Sequence, residues 1–119
     1  MPVLVIYGMP DSISQLELVK LIDDLRFVIK TELCSALSNV SIFFPVDLVK
    51  QGLGEELICF VEGLFGKIPN RASQKLAEKI MVELSLFAEK SLPQCQRVEV
   101  MVKRFIRDND GFAFCDLRE

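Results

Sequence analysis

The chain has 119 residues, a net charge of -3 and no histidine. Half of its residues are hydrophobic and 26% are charged, which argues against disorder and is typical of one domain with a core of its own. The slightly acidic charge and the scattered lysines and arginines give no basic surface for nucleic acid, and no apolar stretch approaches the ~20 residues that span a bilayer.

The cysteine and histidine content predicts a protein without a structural metal site. Cys34, Cys59, Cys95 and Cys115 form no Cys-x-x-Cys pair, and without histidine the usual ligand of zinc, iron or copper is absent. The N-terminus lacks the features of a signal peptide, so we expect a cytoplasmic protein with reduced thiols. In this interpretation Cys34 and Cys59 are small buried hydrophobic residues, and a disulfide is the weaker alternative.

The first half of the chain predicts a strand, a helix and a second strand. Residues 3–6 are apolar throughout, which is typical of a strand covered on both faces. Ser14 and Glu17 have the spacing of a capping box, and apolar residues then recur every three or four positions as far as Leu37. An amphipathic helix is therefore expected here, followed by a strand over residues 40–44.

The second half predicts the same order of elements. Residues 57–61 form the expected third strand, which we expect Gly63 to end. Asn70 is placed to cap a second helix, whose apolar spacing continues until Pro93. A fourth strand, a turn and a short returning segment are expected at residues 98–102, 109–111 and 112–114, respectively.

This order indicates an α+β fold built from two βαβ units, with pseudo-repeats at residues 1–54 and 55–119 of a single domain. A strand that returns after a helix lies parallel to the first strand, with a right-handed crossover. Two such units give a four-stranded sheet with both helices on one face, followed by a short C-terminal hairpin. A monomeric ferredoxin-like binding domain has the same element order, but strands that are apolar on both faces favour a sheet buried in a closed trimer.

Two stretches carry a resemblance to a known family. The chain starts with Met1-Pro2, and residues 66–76 read Gly-Lys-Ile-Pro-Asn-Arg-Ala-Ser-Gln-Lys-Leu. Together with the double βαβ pattern and the length, they resemble the tautomerase superfamily, in particular the members with two fused repeats, of the type of macrophage migration inhibitory factor and carboxymethyl-hydroxymuconate isomerase. The resemblance implies a homotrimer that isomerises a small carbonyl acid by proton transfer, without a cofactor.

The resemblance also implies which residues form the site. Once Met1 is removed, Pro2 becomes a secondary amine, and an apolar pocket lowers the pKa of an α-amino group from about 8 towards neutrality, where a general base works best. Cations that other members place near Ser12, Ser35 and Ser41 are absent, so the resemblance leaves Arg71 as the substrate-binding cation. Lys67 and Ile68 belong to the same loop. If Met1 is retained, the Pro2 nitrogen is an amide, and a non-catalytic trimer that acts as a binding or structural module is the alternative.

Overall fold

The structure of this chain is a computed structural model. It describes residues 2–33, 40–46, 54–64, 70–104 and 113, without the side chains of residues 63, 64, 70, 71 and 104. The elements in chain order are β1 (Val3–Tyr7), α1 (Gln15–Leu33), β2 (Ser41–Phe43), β3 (Glu56–Leu64), α2 (Asn70–Ser91) and β4 (Arg97–Arg104). Two βαβ units therefore follow one another, as the sequence predicts.

The four strands form one sheet in the order β2-β1-β3-β4. Within each unit the two strands are parallel, and the units meet through the antiparallel pair β1 and β3. Val3 lies opposite both Ser41 of β2 and Glu62 of β3, which fixes the register at the start of β1. In a ferredoxin-like sheet another strand separates the two strands of each unit. Here they are neighbours, so the ferredoxin-like alternative is wrong.

The core lies between one face of the sheet and the two helices. Alternate residues of β1 point towards this core, and Leu4 and Ile6 are fully buried there. The other buried residues from the strands and the two helices are Leu57, Cys59, Val61, Leu21, Leu25, Ile29, Leu76, Ile80, Leu84 and Ala88. Their spacing of three or four residues along each helix is the pattern from which both helices were predicted.

Among the described elements, no helix packs on the opposite face of the sheet, which is largely apolar at its centre. Val5 faces Phe60 across the β1–β3 pair, and the rings of Tyr7 and Phe60 meet edge to face with centroids 5.9 Å apart. Phe43 and Met101 widen this patch on either side and are 56% and 42% exposed. The prediction of strands with two apolar faces is confirmed at the centre of the sheet, whereas Glu62, Glu99 and Arg97 place charge on the same face.

The ends of several elements differ from the sequence prediction. The third strand continues through Gly63 to Leu64, so the expected stop at Gly63 is wrong. The β3–β4 pairing shifts register between Val61 and Leu64, because an irregular step absorbs the glycine without ending the strand. The predicted end of the first helix at Leu37 and the C-terminal hairpin at 109–114 fall almost entirely outside the described residues.

The start of α1 is held by a capping interaction that continues to α2. The Glu17 backbone N–H donates to the Ser14 hydroxyl at 3.2 Å, and that hydroxyl donates to the Glu17 carboxylate at 3.0 Å. Ser91, in the last turn of α2, donates to the second oxygen of the same carboxylate at 2.8 Å. Hydrogen bonds from Ser91 and Ser14 lower the pKa of Glu17 below its usual value. The first turn of one helix is thereby joined to the last turn of the other.

Directly after β1, the Gly8 backbone packs closely against the backbone of Glu56 at the start of β3. Its φ of 92° lies in the left-handed region, and a Cβ built there would lie 1.9 Å from the Glu56 carbonyl oxygen. The Gly8 carbonyl accepts a hydrogen bond from the Gly54 N–H at 2.8 Å. Gly54 also has a positive φ, of 85°, but a Cβ there would meet only side-chain atoms, the nearest at 3.6 Å. Only glycine fits at Gly8 without a backbone shift.

Two of the four cysteines are described, and both are free thiols. Cys59 lies in the core, and burial raises the pKa of its thiol to about 12, so the group stays protonated at neutral pH. Cys95 is half-buried, and its thiol donates to the Arg97 carbonyl oxygen at 3.5 Å. The prediction that Cys59 is a buried hydrophobic residue is confirmed, whereas Cys34 and Cys115 lie outside the described residues.

Candidate functional site

Pro2 lies at the start of β1, with its side chain fully buried. Its carbonyl oxygen accepts a hydrogen bond from the Ser41 N–H at 3.2 Å, which ties it to β2. The next residue, Val3, lies opposite Ser41 of β2 and Glu62 of β3, so Pro2 is at the end of the sheet where β2 begins and β3 ends.

Several elements meet at the end of the sheet where Pro2 lies. Since β3 is antiparallel to β1, β3 ends at the end of the sheet where β1 begins. The helix α2 begins six residues after Leu64. Arg71, in the first turn of α2, therefore lies at the same end as Pro2, although its side chain is outside the description. Lys67 and Ile68, the other predicted substrate-binding residues, lie outside the described residues. The topology thus brings two of the four predicted site residues to one end of the sheet.

Arg26 is a cation at this end that sequence reasoning missed. Its Nε donates to the Val40 carbonyl oxygen at 3.4 Å, and the next residue, Ser41, donates its N–H to Pro2. The Arg26 guanidinium and the Pro2 carbonyl are thus hydrogen-bonded to two adjacent residues, Val40 and Ser41. Among the described residues Arg26 has no carboxylate partner, and a guanidinium can hold a carboxylate anion through two parallel hydrogen bonds. The sequence offered no signal, because an arginine on a helix is usually solvated.

The charges described around the Pro2 end of the sheet are of both signs, and the Glu62 carboxylate of β3 lies opposite Val3. Lys75 of α2 lies 3.9 Å from the Glu32 carboxylate of α1, which links the helices near this end. Lys103, near the end of β4, is exposed at the same edge as Arg26 and the first turn of α2. Over the described ranges, no group of three or more histidine, cysteine, aspartate or glutamate side chains could hold a metal ion. Arg26 and Lys103 are the described cations at this end that can contribute to binding an organic anion.

Two grooves on the described surface lie away from Pro2. One, of about 260 Å³, runs between the two helices over Leu21 and Phe87. The other, of about 370 Å³, lies at the turn from α2 into β4 and is lined in part by Cys95 and Arg97. That turn is at the opposite end of the sheet, because β4 begins where β1 ends. Neither groove includes a predicted site residue.

Comparison with known proteins rests on structure. No protein-family model matches the sequence, and no curated protein is similar to it. The R7 fused 4-OT wild type asymmetric trimer superposes with a TM-score of 0.70 at 16% identity, over 98% of this chain and 96% of that one. A 5-carboxymethyl-2-hydroxymuconate isomerase from Deinococcus radiodurans R1 gives 0.66 at 8% identity, over 94% and 88%. Pt0534 inactivated by 2-oxo-3-pentynoate gives 0.61 at 14%, over 93% and 91%.

The chain has the tautomerase superfamily fold. The similarity covers nearly the whole chain, so the resemblance stated from Met1-Pro2 and residues 66–76 is confirmed at the level of the fold. The four-stranded sheet with both helices on one face is the double βαβ arrangement of that superfamily. None of the described helices is both long enough and apolar enough to cross a membrane.

Proposed function

We propose that this protein is a tautomerase, an isomerase that moves a proton between carbon and oxygen, or between two carbons, of a small carbonyl acid. The observation that carries the proposal is the position of Pro2. The proline is buried at the start of an inner strand, at the end of the sheet where Arg26 lies and α2 begins. The fold shared with a 5-carboxymethyl-2-hydroxymuconate isomerase supports this function.

The proposed reaction uses the Pro2 nitrogen twice, after Met1 has been removed. The free secondary amine takes a proton from the carbon next to the substrate carbonyl, and the electron pair of that C–H bond becomes the enolate. The resulting ammonium returns the proton to the enolate oxygen or to a different carbon, which restores the amine. Atoms and charge balance without a cofactor. Burial of the proline limits access by water, and the N-terminal end of α2 favours an anion at this edge of the sheet.

Arg26 and Arg71 are the proposed partners of the substrate carboxylate. A guanidinium binds a carboxylate through two parallel hydrogen bonds, and we propose that the Nη groups of Arg26 make them while its Nε donates to the Val40 carbonyl oxygen. Lys67 and Ile68 are proposed to line the same pocket from the segment before α2. In this arrangement the substrate lies between the strand start at Pro2 and the two cations.

A homotrimer is the proposed assembly. Within the part of the chain that the structure describes, no helix covers the apolar face of the sheet, which carries Val5, Phe60 and the exposed Phe43 and Met101. Burying such a patch against other subunits is favourable, by about 25 cal/mol for each Å² of apolar surface. Fused 4-OT, which has the same fold, forms trimers.

Covalent labelling with 2-oxo-3-pentynoate tests the proposed base. A free secondary amine adds to the alkyne carbon β to the carbonyl, which forms a C–N bond, and the amine proton moves to the neighbouring carbon. We expect one adduct on the N-terminal peptide, with loss of ketonisation activity, in protein whose Met1 removal has been verified by mass spectrometry. Intact-mass and peptide mass spectrometry measure both.

Cys95 provides the control for this labelling, because an accessible thiol also adds to the reagent. The Cys95→Ser variant should still gain the Pro2 adduct and lose activity at the same rate. A protein with free Pro2 that gains label only on cysteine contradicts the proposal. Retention of Met1 in the protein isolated from its natural cell does so as well, and favours the non-catalytic trimer.

Replacing Arg26 by glutamine is expected to raise KM for an arylpyruvate enol by about tenfold, because one charge-assisted interaction with the carboxylate contributes on the order of 1.5 kcal/mol. Steady-state kinetics measure KM and kcat, and kcat should change less than KM. Lys30→Gln removes a positive charge one turn further along α1 from an exposed side chain and is the matched control. Equal KM changes in the two variants would show that only general electrostatics is involved.

A further inference from the structure

The outer surface of α1 carries a stripe of four exposed side chains with an unusual composition. Leu16 and Phe27 are 81% and 71% exposed, and Lys20 and Asp23 lie between them in the sequence. At 3.6 residues per turn these four positions fall within about 60° of the helix circumference, and the two apolar ends are about 16 Å apart. We call the set of Leu16, Lys20, Asp23 and Phe27 the α1 stripe.

The α1 stripe faces away from the sheet, and Lys20 lies at the rim of the groove between α1 and α2. The buried residues Leu21, Leu25 and Ile29 lie on the opposite side of the helix, against the sheet. No ion pair within the described chain uses Lys20 or Asp23. Covering the exposed Leu16 and Phe27 side chains is favourable, by about 25 cal/mol for each Å² of apolar surface that is buried. The apolar sheet face proposed for the trimer is on the far side of the sheet, so trimer formation leaves the α1 stripe uncovered.

The charges of the α1 stripe are arranged to fit a second copy of it. Two identical surfaces that meet about a two-fold axis make every contact twice. With the two helices antiparallel and the axis midway along the stripe, Lys20 faces Asp23 of the other copy, and Leu16 faces its Phe27. A parallel pair places lysine against lysine and aspartate against aspartate. The stripe is therefore self-complementary in one orientation only.

We infer that the α1 stripe is an interface between two copies of this chain, formed by antiparallel packing of α1 on α1. Each contact places two apolar pairs around two ion pairs. A single helix pair of this kind buries less surface than a standard interface of roughly 1,600 Å², so the association is weak and depends on concentration. Because the ion pairs are exposed, it weakens as the salt concentration rises.

Charge reversal on the purified full chain tests this interface, with sedimentation equilibrium across a wide range of concentrations as the measurement. The parent should show complexes with twice the mass of the smaller unit. Lys20→Asp and Asp23→Lys each replace both attractions by repulsions, and each should lower the association constant by about tenfold or more. The double variant K20D/D23K exchanges the two charges, so it should recover association.

Further variants separate this interface from other causes. Lys79→Asp makes the same charge change as Lys20→Asp on an exposed position of α2 and should associate like the parent. Phe27→Ser should remove the doubling while circular dichroism shows an unchanged helix content. The proposal is overturned if both single reversals associate like the parent, or if the double variant stays as weak as the single ones. A parent whose mass never doubles overturns it as well.

Discussion

Replacing Pro2 by alanine is expected to lower kcat/KM for the ketonisation of an arylpyruvate enol by about 100-fold or more. A positioned general base contributes on the order of 10² to 10⁴ to such a reaction. The proline side chain is fully buried and its carbonyl oxygen accepts a hydrogen bond from the Ser41 N–H, so the position of its nitrogen is fixed. Alanine offers a primary amine on a smaller side chain that does not fill the same space. The decay of the enol ultraviolet absorbance measures the rate.

Two controls make the Pro2 result specific. Mass spectrometry must show that Met1 is absent from both proteins, since retained Met1 removes the basicity of either residue. Pro45→Ala changes another proline, at the end of β2, and should keep the parent rate. Equal rates for the Pro2→Ala variant and the parent would falsify proton transfer by Pro2, whatever the fold.

Gly8→Ala is expected to lower the free energy of unfolding by about 3 kcal/mol or more, enough to unfold a marginally stable domain. The added methyl group would lie 1.9 Å from the Glu56 carbonyl oxygen, and the φ of 92° is unfavourable for alanine. Because Glu56 begins β3, relief of the clash moves that strand away from β1. Urea denaturation followed by circular dichroism measures the loss.

Gly54→Ala is the matched control for Gly8. It has a similar positive φ of 85°, but the nearest atom to an added Cβ is a Pro10 side-chain carbon at 3.6 Å. Its expected cost is therefore the conformational term alone, about 1 to 2 kcal/mol. Equal destabilisation in the two variants would show that backbone conformation, and not contact with Glu56, sets the cost at Gly8.

The fold could be predicted because its signals are local and repeated. Apolar residues at helical spacing gave both helices, and the element order gave two βαβ units. The order of strands across the sheet could not be settled in this way, because the ferredoxin-like arrangement has the same sequence of elements. The antiparallel β1–β3 pairing that decides between them is a contact between distant parts of the chain. The prediction that Gly63 ends the third strand was wrong because a strand can continue past a glycine through an irregular step.

The candidate site could be predicted only in part. Pro2 could be proposed from the sequence because the family that the chain resembles uses a proline after the initiator methionine as its general base. Arg26 could not be proposed in this way, since a helical sequence does not show which arginine contacts a neighbouring strand. Its relation to Pro2 depends on the Val40 carbonyl and the Ser41 N–H, which are backbone groups that every sequence contains. The topology places Arg71 at the same end of the sheet as Pro2, and its role in substrate binding stays a prediction.

The Glu17 carboxylate makes the hydrogen-bonded contact between α1 and α2 sensitive to acid. It accepts hydrogen bonds from Ser14 of its own helix end and from Ser91 of the other helix, and these lower its pKa from the ordinary value of 4.5. A carboxylate with a lowered pKa contributes stability that is complete above the unfolded-state value and disappears as the pH falls through the folded-state value. As the pH falls below about 4.5, protonation of Glu17 therefore begins to weaken the contact between α1 and α2. This contact lies at the end of the sheet opposite Pro2.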